Sequence, residues 1–107
     1  PTRLHEIAFR VHRLAREALI EGRAGVCLDL CRAQSEALAG LERQFPEQAR
    51  ARGYRFLQAH FLTLAALARL EQGEFESALE AFRLAGAADP DDAVVEANAV
   101  TLRLVPR

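Results

Sequence analysis

The chain has 107 residues and a formal net charge of −1, with half of its residues apolar and 7% aromatic. That length fits one domain whose core needs no metal or disulfide staple, and the near-neutral charge argues against a general polyanion binder. Ala, Leu, Arg, Glu and Gln are abundant, β-branched residues are sparse outside Val94–Val95, and Trp is absent; these strong helix formers make an all-α fold the expectation.

Apolar positions Leu4, Ile7, Ala8, Val11, Leu14, Ala15, Ala18 and Leu19 recur at helical spacing and predict a first helix over residues 3–21. Gly22 and Gly25 interrupt that period. A second helix is predicted over 26–43, with Cys27, Leu30, Cys31, Leu38, Leu41 and Phe45 along one stripe and Gln34 as its polar interruption. Pro46 suits the first turn of a helix, where its missing N–H costs nothing. From it a third helix is predicted to run unbroken to Gln72. Its second half, FLQAHFLTLAALARL, is apolar nearly all round, which places it centrally with neighbours on several sides. Gly73 ends it. A fourth helix follows over 74–87, with acids in its first turn that favour the helix dipole. Asp89–Pro90 stops it, because a residue before proline is pushed out of helical geometry. Asp91 or Asp92 can cap a fifth helix over 91–103. The expected domain therefore spans 1–103 as two antiparallel hairpins, 3–43 and 46–88, plus that fifth helix.

Gly73, Ala78, Phe82 and Pro90 carry a spacing with a physical rationale at each position. Glycine permits the positive φ of a tight turn, a small Ala lets paired helices approach, Phe fills the space between hairpins, and Pro ends the unit. In this the chain resembles the tetratricopeptide repeat, whose pattern includes A-x3-F followed by Pro. The matching frame is 59–92, with Leu62, Ala65 and Ala66 where the family has Trp, Leu and Gly, and Arg69 where it has Tyr. A more degenerate copy lies 51 residues upstream, where Gly22, Cys27 and Cys31 repeat the spacing of Gly73, Ala78 and Phe82. The family's repeat is 34 residues long, and the surplus is expected as about two added turns on each of the second and third helices. The resemblance implies a helical-hairpin solenoid and a protein–protein interaction module.

The resemblance also implies a groove lined by the first helix of each pair. Carried over position by position, its lining is Phe9, His12 and Arg16 in the first unit and His60, Thr63, Leu67 and Leu70 in the second. The residues alone agree in part, since His5, Phe9, His12 and Arg16 form a stripe apart from the core stripe of their helix. The terminal-carboxylate clamp of some family members is not expected, because the sequence has no Lys and presents Thr63, Leu67 and Glu71 in the second unit. An apolar or amphipathic partner segment suits the groove better. The alternative within the same class is self-association through the apolar face of the fifth helix, Val94, Val95, Ala97 and Val100.

Other classes find little footing. All fourteen basic residues are Arg, which fits a GC-rich bacterial genome. Residues 1–55 hold ten Arg against seven acids, a charge of +3, whereas 56–107 hold four against eight, a charge of −4. Arg10, Arg13, Arg16, Arg23, Arg50, Arg52 and Arg55 could meet phosphates, but Glu6, Glu17, Glu21 and Glu47 are interleaved and no recognition helix stands out. Nucleic acid is therefore the less favoured partner. Cys27 and Cys31 occupy the small buried positions of the repeat and are read as core, since four residues along a helix suit a disulfide poorly. His5 and His12 are about 10 Å apart along their helix and cannot share an ion without a third element, so no metal or other cofactor is expected. Nor is catalysis, because no phosphate loop and no nucleophile with a base is apparent. With no signal peptide or membrane span, a cytoplasmic setting is expected. Leu104–Arg107 match the remnant of a thrombin-type cleavage site, and the chain has no Met. It is thus expected to be a segment of a larger protein, by analogy a regulatory or signalling one.

Overall fold

The computed structural model describes residues 3–51 and 53–88. There the chain folds as five α-helices: α1 Arg3–Ile20, α2 Ala24–Gln44, α3 Pro46–Ala51, α4 Tyr54–Glu71 and α5 Phe75–Ala88. No residue described is in a strand, so the all-α class holds. Pro90, the expected fifth helix and its apolar residues Val94, Val95, Ala97 and Val100 lie outside the described residues.

The apolar-all-round segment sits where its composition requires. Helix α4 packs against all four other helices, whereas α5 meets only α4 among them. One side of α4 sends Leu57, Phe61, Leu64 and Ala68 into a core shared with Ala8, Ala15 and Ala18 of α1 and Cys27, Leu28, Cys31 and Leu38 of α2. The other side places Ala66 against Ala78 and Phe82, and Ala59 against Ala85, both on α5. Small residues dominate these seams, so the helix backbones approach closely.

The two interhelical turns have the same construction. Gly22 and Gly73 hold φ values of 82° and 80° in the left-handed region. The Gly22 amide donates to the Leu19 carbonyl (3.1 Å) and the Arg23 amide to that of Ala18 (2.7 Å). At the second turn Gly73 donates to Leu70 (3.0 Å) and Glu74 to Arg69 (2.9 Å). This paired arrangement is the Schellman motif, which satisfies carbonyls a helix end would otherwise orphan. The carbonyls of Arg23 and Glu74 then accept from Cys27 and Ala78, which starts the next helix in each case. Helices α1 and α4 stop 51 positions apart, at Ile20 and Glu71. Helix α2 begins at Ala24, two residues before the expected start, because Gly25 keeps an ordinary negative φ and enters the first turn.

The unbroken third helix is corrected. Gly53 adopts φ 69° and separates α3 from α4. The surplus between the two hairpins is not two matched helix extensions. It lengthens α2 to 21 residues, against 14 in α5, and forms α3. The physical reason lies in what the bend buries. Ala49 and Tyr54, on either side of Gly53, both join the core, and α3 folds back against α2. A straight helix would carry Pro46–Ala51 away from that surface.

Candidate functional site

Where α1 and α4 run side by side, an aromatic cluster straddles them. The rings of His12 and His60 approach to 5.9 Å between centroids, nearly edge to face. His12 also meets Phe61 edge-on at 5.7 Å, and Phe56 meets His60 at 4.2 Å. Such T-shaped pairs place the positive ring edge on the negative face of a neighbour. A pocket of about 130 Å³ opens here, lined by Ala8, Phe9, His12, Leu57, His60 and Phe61. Phe9 in its lining is 58% exposed, and Phe56, which meets His60 beside it, is 47% exposed.

The electrostatics follow from crowding. Burial pushes the proton affinity of His12 below the ordinary histidine value, and the nearby His60 and Arg16 push it the same way. Arg16 lies one turn beyond His12 on α1 and is exposed. It makes no ion pair among the described residues.

Three of the seven expected groove residues, Phe9, His12 and His60, thus meet around one pocket, with Arg16 beside them. The other three on α4 are committed elsewhere. Thr63 is buried, and its hydroxyl donates to the Ala59 carbonyl at 2.8 Å. Leu67 and Leu70 are half-buried, both packed against the α4–α5 seam. Ala8, Leu57 and Phe61 line the pocket without having been in the expected set. Phe56, one helical turn before His60, stacks edge-on against it beside the pocket.

The remaining candidates sit apart. The ring of His5 is near that of Tyr54, at 6.2 Å, away from the His12–His60 pair. Cys27 and Cys31 are free thiols with no exposed surface. Burial raises the pKa of both. Arg10, Arg13, Arg16, Arg23, Arg50 and Arg55 are exposed, spread over α1, α3, α4 and the turn before α2. Arg23 is paired with Glu21, and Arg55 with Glu42 at 2.9 Å. Arg52 is outside the described residues. Among the described residues no group of three or more His, Cys, Asp or Glu is placed to hold a metal ion, and no helix is long and apolar enough to cross a membrane.

Comparison of the chain with family models, curated proteins and solved structures finds no match.

Proposed function

We propose that this chain is a tetratricopeptide-like interaction module that binds a peptide or partner helix on the face shared by α1 and α4. One observation carries the reading: a hairpin repeated at 51 residues leaves an open aromatic pocket between the first helices of its two copies. Repetition supports the architecture. Turn geometry, the buried small positions Cys27 and Ala78, and the buried pair Cys31 and Phe82 all recur in register. The pocket supports the role, because Phe9 and Phe56 expose apolar area where a charged side chain would be more soluble.

The test is a selection of displayed random 16-residue peptides on the folded chain. Two counter-selections use Phe9→Asp, at the pocket, and Leu84→Asp, at an exposed position of α5. Binders that are lost with Phe9→Asp and kept with Leu84→Asp are expected. Binders indifferent to Phe9→Asp would place docking elsewhere and end this reading of the pocket.

A further inference from the structure

The α1–α4 pocket has a size and a charge, and together they narrow what enters it. A dry cavity of about 150 Å³ holds one benzene molecule. The 130 Å³ here therefore accommodates one large apolar side chain and no stretch of backbone. Ala8, Leu57 and Phe61 form its apolar walls, with Phe9 at the mouth.

Among the described residues, the two helix stripes beside the pocket carry charge of one sign. The stripe of α1 beside the pocket reads His5, Phe9, His12 and Arg16, and contains no carboxylate. The matching stripe of α4, Phe56, His60, Thr63 and Leu67, contains none either. The carboxylates of α1 lie off this stripe, and Glu6 instead lines a separate depression with Arg3, Ile7 and Arg10. Burial first, then His60 and Arg16, make His12 harder to protonate. A carboxylate brought to this rim would meet an Arg with no ion pair among the described residues and two imidazoles able to donate N–H bonds.

We infer that the pocket recognises an acidic segment of a partner protein, taking one aromatic or branched aliphatic side chain among Phe9, Leu57 and Phe61 while a nearby Asp or Glu meets His12 and Arg16. This rests on the reading of the α1–α4 face as a docking surface. It adds a partner chemistry: apolar anchor and acidic flank, within one or two helical turns of each other.

The peptide selection above separates the two claims, because position and composition are read independently. Binders sensitive to Phe9→Asp are sequenced and their affinities measured by fluorescence anisotropy on the full chain and on Arg16→Gln. Both affected residues are exposed, and circular dichroism checks that each variant folds. The expected binders combine Phe, Leu or Ile with Asp or Glu within four residues. Replacing their acids by Asn or Gln should weaken binding to the parent chain about tenfold, equivalent to 1.4 kcal/mol. On Arg16→Gln the same replacement should cost at most about twofold. Binders at Phe9 with neutral or basic flanks would overturn the acidic inference and leave the docking surface standing. Binders insensitive to Phe9→Asp would overturn both. A selection yielding no binder at all would overturn the inference as a statement about linear segments.

Discussion

Gly22 and Gly73 are where single residues decide most about this chain. A Cβ added at either would find no atom within 4 Å, so a substitution there is opposed by the backbone alone. Left-handed geometry costs an ordinary residue about 1–2 kcal/mol. Gly22→Ala and Gly73→Ala should each lose about that much in urea unfolding, and by similar amounts because the turns are alike. A large inequality would mean that the turns are not equivalent. The two thiols make a second prediction. Burial raises both pKa values and leaves no surface for attack, so Cys27 and Cys31 should resist alkylation at pH 8 until the chain unfolds. Rapid native labelling of either would contradict their place in the core. His12 gives a third. Its pKa in the fold is lowered from 6.5, so below pH 6.5 the unfolded chain binds a proton that the fold resists. Stability is therefore untouched above the unfolded pKa. It falls as pH drops from there towards the lowered folded value, then levels off. His12→Gln should reduce the loss of stability between pH 7.5 and 5.5, as read from urea midpoints at the two values. An unchanged loss would refute this role for His12.

Among the elements, α1 and the end of α4 were legible in the sequence because their apolar periods stop at glycines in the left-handed turn, and α5 because it starts just after one of them. Gly53 was not legible as a boundary. The residues around it, RARGYRFL, are good helix formers, and a lone glycine inside a helical pattern is tolerated at roughly 1 kcal/mol. What breaks the helix is tertiary: Ala49 and Tyr54 both enter the core, and α3 packs against α2. Gly53→Ala discriminates between the two outcomes. The new Cβ would meet Phe56 Cβ at 4.0 Å, an ordinary contact, so only the φ of 69° opposes it. A loss of about 1 kcal/mol is expected; a gain would indicate the continuous helix that the local sequence favours. The candidate site was legible to the same degree. Phe9, His12 and His60 could be found because position along a first helix fixes which face they share. Thr63 lies on the same helix but is buried, with its hydroxyl bonded to the Ala59 carbonyl, a commitment that spacing does not reveal. Ala8, Leu57 and Phe61 escaped because their apolar periodicity assigns them to the core.

For the molecule as a whole, the likeness of α1 to α4 makes their differences informative. Helix α4 turns Tyr54, Leu57, Phe61, Leu64 and Ala68 towards the preceding hairpin, all of them buried. The positions 51 residues earlier on α1 are Arg3, Glu6, Arg10, Arg13 and Glu17, all exposed. Ile7 and Leu14 are half-exposed among them, but two apolar side chains amid five charges make no interface of the usual size. Five charges keep this face of α1 in water, where the matching face of α4 is covered. Charge therefore distinguishes the two faces, since both helices end in the same left-handed turn. Giving α1 the α4 residues tests it: Glu6→Leu, Arg10→Phe, Arg13→Leu and Glu17→Ala together, compared with the parent chain at equal concentrations by light scattering after size exclusion. The variant should associate at micromolar concentration into species heavier than the parent, since it presents an unpartnered apolar helix face. Two other results are informative. A folded variant with the parent's mass would show that these charges do not keep the face from associating. A variant with a higher mass that reverts on restoring Arg10 and Arg13 alone would locate the effect in two guanidinium groups.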